Sequence, residues 1–132
     1  MRFYCPQCWA DFPEDVARCP RCELDIQGFM DEKSFREKLL IALNHPEQTA
    51  RLRAVTLLGR LREERAVEPL ISLLRRTRDV YMAVAVVQAL RKFDRPDVRA
   101  VLRSMTAHPA RMVREEAQRT VEALETEEKV QQ

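Results

Sequence analysis

The stretch ARLRAVTLLGRLREERAVEPLISLL, residues 50–74, decides the fold class of this chain. Its first half places small or apolar residues at offsets 0, 4, 7, 8 and 11 from Ala50, a spacing that falls on one face of an α-helix. Four charged residues, REER at 62–65, follow, and a second apolar stripe begins at Ala66. The stretch therefore predicts two consecutive amphipathic helices joined by a short connection.

The same pattern recurs twice further along the chain. Segments that begin at Met82 and Val113 repeat the offsets counted from Ala50, at distances of 32 and then 31 residues. Another apolar helical stripe precedes each of the three segments. Those stripes are Phe35, Leu39, Leu40 and Leu43; Ala66, Val67, Leu70, Leu73 and Leu74; and Val98, Val101, Leu102 and Met105. Two helices per unit of this length predict a mainly α fold, an α-solenoid of three helix pairs over residues 31–126, with a frayed polar tail over 127–132.

Residues 31–125 resemble three HEAT-type repeats and are similar to the short-period variety found in phycobilin lyase subunits; residues 50–74 are the best match. Tetratricopeptide and ankyrin repeats share the period, but their consensus patterns are not visible. The resemblance implies stacked antiparallel helix pairs whose second helices line a concave face. It also implies an Asp–Arg ladder with Asp79, Arg51 and Arg114 as candidates, although Ala83 stands at the Arg position of the repeat that holds Asp79.

Residues 1–28 differ in composition, since they hold all four cysteines and the only tryptophan. The spacing is Cys5-x2-Cys8, ten residues, then Cys19-x2-Cys22. Two such knuckles facing each other offer the tetrahedral set of four sulfurs that zinc accepts. So short a segment cannot bury enough core by itself, so the metal is expected to stabilise it independently of the helices.

Other chemistry for the four cysteines is disfavoured by their context. Two disulfides fit poorly with a chain that shows no export signal. A thioredoxin-like redox pair expects a βαβ unit, and a rubredoxin-like iron site expects a longer gap between the pairs. A bridged iron–sulfur cluster uses the same ligands, but the symmetric knuckles favour a single ion. Four cysteines leave no open coordination position, so we expect one structural zinc and no metal catalysis.

The segment YCPQCWADFPEDVARCPRCELDI, residues 4–26, resembles short zinc-ribbon modules. That family usually has Gly after the second Cys of each pair, where a left-handed turn lets backbone N–H groups point at sulfur. Trp9 and Glu23 occupy those positions here.

The apolar run Val80–Leu90 is too short to span a bilayer, and the N-terminus has no apolar signal core, so the sequence predicts a cytoplasmic protein without membrane contact.

Residues 51–119 hold 16 Arg or Lys against 8 Asp or Glu, which fits either a nucleic-acid surface or a solvated one; the scatter of charges favours solvation. His45 and His108 precede Pro46 and Pro109, and we interpret them as side chains at helix C-termini.

These features predict a non-enzymatic, zinc-binding adaptor that binds another protein through its repeats. No acid–base pair, nucleophile or Gly-rich phosphate loop stands out. The predicted partner surface lies on the second helix of each repeat, at offsets 2, 6 and 9 counted from Ala50, Met82 and Val113. Its members are Leu52, Thr56 and Gly59; Val84, Gln88 and Arg91; Glu115, Arg119 and Glu122. The alternatives are nucleic-acid binding by the Arg-rich surface and an accessory lyase-like subunit. The sequence makes no prediction of the oligomeric state.

Overall fold

The computed structural model describes residues 2–131. The elements in chain order are β1 (Phe3–Tyr4), β2 (Asp11–Phe12), α1 (Ile26–Asp31), α2 (Phe35–Ala42), α3 (Gln48–Arg60), α4 (Val67–Arg76), α5 (Val80–Leu90), α6 (Pro96–Ser104) and α7 (Arg111–Gln131). Short 3₁₀ turns lead into α4 and follow α6. The predicted mainly α fold of helix pairs, α2/α3, α4/α5 and α6/α7, is confirmed, and the N-terminal cysteines form a cluster compatible with a small zinc module. Over the described residues, no helix has the length and apolar character needed to cross a membrane.

The chain divides into two compact units, Met1–Ala54 and Val55–Gln132, with the division inside α3. The first unit holds the cysteine module together with α1, α2 and the first turns of α3. The boundaries read from composition, 1–28, 31–126 and 127–132, stay predictions. The polar composition after Thr126 does not end α7, which continues to Gln131. Gln132, the last residue of the predicted tail, lies outside the described residues.

Apolar stripes on four helices form the core of the second unit. Buried residues on α4 and on α6 recur three or four positions apart, so each helix turns one face inward. The buried side chains include Val67, Leu70, Leu73, Leu74, Met82, Val86, Leu90, Val98, Val101, Leu102, Val113, Ala117 and Thr120. The Thr120 hydroxyl donates to the Glu116 carbonyl at 2.9 Å, so this buried polar group is satisfied within its own helix.

Helix α5 is apolar nearly all round because it has neighbours on several sides. Six of its eleven residues are buried. The helix packs against α4, α6 and α7. A helix enclosed in this way cannot keep a wide polar face, which accounts for the sequence VYMAVAVVQAL.

The first predicted stripe begins one turn too early. Phe35 was expected to share a buried face with Leu39 and Leu43, yet its side chain is 62% exposed, whereas Leu39 and Leu43 are buried. Phe35 is the first residue of α2, directly after the Ser34 cap. A side chain in the first turn has no preceding turn of its own helix to cover it, so the apolar spacing alone did not predict its exposure.

The two histidines stand at helix C-termini, as interpreted, since the N–H of His45 donates to the Ala42 carbonyl at 3.1 Å and His108 caps the 3₁₀ turn after α6; their side chains act on the turn that follows. His45 Nδ1 and His108 Nδ1 each accept a hydrogen bond from the backbone N–H two residues further on, both at 2.9 Å. In the middle repeat the equivalent residue is Thr77, whose Oγ1 accepts from the Asp79 N–H at 3.2 Å. All three side chains therefore stabilise the entry to the second helix of their repeat.

Two of these turns accept hydrogen bonds from an arginine side chain of the following helix. Arg51 donates through Nη1 to the carbonyls of His45 and Pro46, at 2.8 and 2.9 Å. Arg114 donates in the same way to the two carbonyls of the His108 turn, at 3.0 and 3.3 Å. The arginines named for the predicted ladder thus hold the turns of their own repeats.

The middle repeat holds its turn by a helix cap, because Ala83 occupies the position of the arginine. The Asp79 carboxylate accepts hydrogen bonds from the N–H groups of Tyr81 and Met82, at 2.9 and 3.2 Å. These are the first N–H groups of α5, which have no partner inside the helix. The same turn is therefore stabilised in two different ways along the chain.

Gly59, near the end of α3, lies close against the backbone of α5. A Cβ atom on Gly59 would lie 2.9 Å from both Cα and Cβ of Ala89. We expect Gly59→Val to destabilise the second unit by about 1–3 kcal/mol, because the backbone of α5 would have to move away. Thermal unfolding measures the effect. Thr56→Val, an exposed change on the same helix, is the control, and equal melting temperatures for the two variants would contradict the close packing.

Candidate metal centre and repeat surface

Two cysteine knuckles with the same backbone pattern build the candidate metal centre. The antiparallel strands β1 and β2 flank the first of them. The Trp9 N–H donates to the Cys5 carbonyl at 2.9 Å, and the Cys5 N–H donates to the Ala10 carbonyl at 3.0 Å. The second knuckle repeats both bonds with Cys19 in the place of Cys5, each at 2.9 Å. The two Cys-x-x-Cys pairs are thus presented by near-identical loops.

The four predicted ligands lie together. The sulfur atoms of Cys5, Cys8, Cys19 and Cys22 all lie within 4.8 Å of one another. The Cys5 and Cys22 sulfurs are 3.5 Å apart, and the Cys8 and Cys19 sulfurs are 3.6 Å apart. Four thiolates at about 2.3 Å from a tetrahedral ion would be separated by about 3.8 Å. The cluster therefore has the donor set and the dimensions to hold one metal ion.

The residues that replace the expected glycines adopt the glycine conformation. Trp9 has a φ angle of 61° and Glu23 one of 66°, both in the left-handed region. A side chain at such a position costs roughly 1–2 kcal/mol. Both knuckles thus keep the left-handed turn that glycine would adopt, and the side chains of Trp9 and Glu23 make this turn locally strained.

Backbone N–H groups stabilise a thiolate at the second knuckle. The N–H groups of Cys22 and Arg21 donate to the Cys19 sulfur, each at 3.4 Å, and lower the pKa of Cys19 to about 6. The pKa of Cys22 shifts the other way. The Leu24 N–H lowers it, but burial and hydrogen bonds to the neighbouring cysteines outweigh that effect and raise it to about 12. Among these two thiols Cys19 ionises first, and a bound cation would favour the thiolate form of all four ligands.

The module has a small centre of its own and also contacts the turn before α3. Trp9 and Tyr4 lie edge-on to the His45 ring, with centroid distances of 5.2 and 4.7 Å. The Tyr4 hydroxyl donates to the Glu47 carboxylate at 3.0 Å. Burial lowers the pKa of His45, which favours the neutral ring in this contact. The module was expected to be independent of the helices, but within the first unit these contacts join it to the turn before α3.

Part of the predicted partner surface lies together in the second unit. Thr56, Gln88 and Arg91 line one groove of about 350 Å³, which we call the Gln88 groove. Gly59, a fourth member of the predicted row, lines the groove as well, and the remaining lining residues are Arg60, Ala85, Ala89, Lys92 and Glu116. The lining thus combines small apolar residues with three cations and one carboxylate.

The other members of the predicted row are placed less favourably for a partner. Leu52, in the first unit, and Val84, in the second, are half-buried, so neither is the fully exposed apolar residue that the offsets suggested. Gly59 is buried, which the row did not predict. Glu115 and Arg119 each form an ion pair at 2.7 Å with a neighbour on α7. A role for any of these residues in binding stays a prediction.

Sequence reasoning missed two basic residues of the Gln88 groove. Arg60 and Lys92 each follow directly after a member of the predicted row, Gly59 or Arg91. The row kept strict helical offsets, whereas these residues stand where the second helix of each repeat ends. A basic residue at the end of both helices was the signal that could have identified them.

The family comparison agrees with this arrangement of helix pairs. Residues 36–130 match the family described as HEAT repeats, a range that runs from α2 into the last turns of α7. No curated protein and no solved structure matches the chain. The four-cysteine module lies before the matched range. Since the match covers well over half of the chain and includes all three helix pairs, the chain belongs to the HEAT repeat family.

Proposed function

We propose that this chain is a non-enzymatic adaptor that binds a partner protein through the Gln88 groove. The observation that carries the proposal is the convergence of Thr56, Gln88 and Arg91 on one groove in a chain of the HEAT repeat family. Repeats of this kind suit interaction scaffolds because their second helices present a continuous surface. A cytoplasmic location and the likeness to the phycobilin lyase subtype remain predictions.

The N-terminal module contributes a structural zinc ion in this proposal. Thiolate sulfur is a preferred ligand of zinc, and four such ligands complete a tetrahedral shell. When bound, the ion would cross-link two loops that share only a small buried centre, Cys5, Phe12 and Cys19. A complete shell offers no position for substrate or water, which supports a structural role.

The charge pattern argues for protein over nucleic acid as the partner. Six of the sixteen basic residues counted in residues 51–119, Arg91 among them, form ion pairs with carboxylates of the same unit. Arg65, Arg95, Arg99, Arg111 and Arg119 each form an ion pair between 2.7 and 3.2 Å. Paired side chains contribute little to the counterion release that drives nucleic-acid binding.

Capture of the native partner with groove-filling variants tests the proposal. We expect Thr56→Trp with Gln88→Trp to abolish capture of a defined protein without lowering the melting temperature, because both side chains are exposed and line the groove. Ser72→Trp with Ser104→Trp fills a different cavity, of about 820 Å³, and is the matched control. The captured material is identified by mass spectrometry. Equal capture by both double variants would move the site elsewhere, and recovery of nuclease-sensitive material would favour nucleic-acid binding.

A further inference from the structure

Basic residues gather where the second helices of two repeats end. Arg60, Arg62, Arg91 and Lys92 stand at or just after the ends of α3 and α5, and we call them the basic edge. Arg60, Arg91 and Lys92 line the Gln88 groove. Arg62, Arg91 and Lys92 line a second cavity, of about 450 Å³. Because the two cavities share Arg91 and Lys92, the basic edge runs continuously along both.

Most of the basic edge lacks a carboxylate of its own. Within residues 2–131, no ion pair joins Arg60, Arg62 or Lys92 to an acidic side chain. The one acid that lines the Gln88 groove, Glu116, is engaged by Arg119 at 2.7 Å. Asp94, which lines the second cavity, pairs with Arg99, so Arg60, Arg62 and Lys92 leave the edge with excess positive charge.

The chain itself shows that helix-borne carboxylates fit against this region. In the last turns of α7, Glu127 lies 3.8 Å from Arg91, and Glu128 lies 3.2 Å from Arg99, another lining residue of the second cavity. Both glutamates line that cavity. They therefore stand where acidic groups of a partner would approach Arg91.

We propose that the basic edge binds an acidic segment of a partner protein, and that Glu127 and Glu128 compete with that segment for the cations that line the second cavity, Arg91 and Arg99 included. The proposal rests on the adaptor function above and specifies the chemistry of its partner. A peptide suits the edge better than nucleic acid does. Phe93 is the only aromatic residue lining either cavity, and it is buried, so no platform for stacked bases is present among the lining residues.

Titration of the purified chain with a fluorescein-labelled oligoglutamate peptide tests this proposal. Arg60→Glu with Lys92→Glu should weaken binding about tenfold or more, since two attractions become repulsions. Arg75→Glu with Arg76→Glu changes the net charge equally on the exposed side of α4 and should leave affinity unchanged. Glu127→Gln with Glu128→Gln should raise affinity about two- to threefold by removing the competing carboxylates. Added salt should weaken binding by the wild-type chain.

Each other outcome overturns a stated part of the proposal. No binding of oligoglutamate, or equal losses in both Glu double variants, would remove the basic edge as an acidic-peptide site. Tighter binding of a single-stranded oligonucleotide that depends on Arg60 and Lys92 would assign the edge to nucleic acid instead. In a further case, oligoglutamate fails to bind while the groove-filling variant still fails to capture the native protein partner. That result would support the adaptor function and contradict only the acidic nature of the partner segment. If Glu127→Gln with Glu128→Gln leaves the affinity for oligoglutamate unchanged, the proposed competition by these two carboxylates is contradicted.

Discussion

Replacing Cys19 with Ser is expected to release the metal and unfold the N-terminal module, while most of the helix content persists. Cys19 supplies one of four thiolates, accepts two backbone N–H groups and is one of three buried residues at the module's centre. Without the ion, that centre is too small to hold the loops together. Elemental analysis should find close to one zinc per wild-type chain and none in the variant.

Two optical signals separate the module from the helices. Trp9 is the only tryptophan and lies against His45, so its fluorescence should change when the module unfolds, whereas far-ultraviolet circular dichroism follows the helices. The contacts of Tyr4 and Trp9 with the His45 turn predict some loss of order there as well. Ala17→Ser, an exposed change in the same module, is the control. A metal-free wild-type chain whose four sulfurs form disulfides would contradict the assignment.

Val86→Asp is expected to unfold the second unit. Val86 is fully buried on α5, which packs against α4, α6 and α7. An unpaired carboxylate at this position would cost about 3–5 kcal/mol, which is a large part of the stability of an ordinary domain. Circular dichroism at room temperature should show the loss of most of the helix signal.

A second Asp variant on the same helix controls for helix propensity and net charge. Gln88→Asp introduces the same residue half a turn away at an exposed position, so its melting temperature should stay close to that of the wild-type chain. If Val86→Asp melts at the same temperature as Gln88→Asp, the buried face of α5 has been assigned incorrectly. Such a result would also undermine the alignment of the three repeats.

The metal ligands could be predicted from spacing because each knuckle is local. Two cysteines separated by two residues lie on one short loop, and the backbone bonds around Cys5 and Cys19 depend on neighbours within five residues. The contact of Trp9 with His45 was not predictable in this way, because it joins residues far apart in the chain. The positive φ angle at Trp9 could not be predicted from the sequence either, since tryptophan ordinarily avoids the left-handed region.

The apolar faces of the helices and the recurrence of the repeats could be predicted from the sequence alone, because α-helical geometry is set over a few neighbouring residues. Val86 and Leu102 are buried as that periodicity predicted. Tertiary packing decided the rest. It buried Gly59 against Ala89 and brought the ends of α3 and α5 together as the basic edge. These features depend on distances between residues about 30 positions apart, which only the packing of successive repeats can fix.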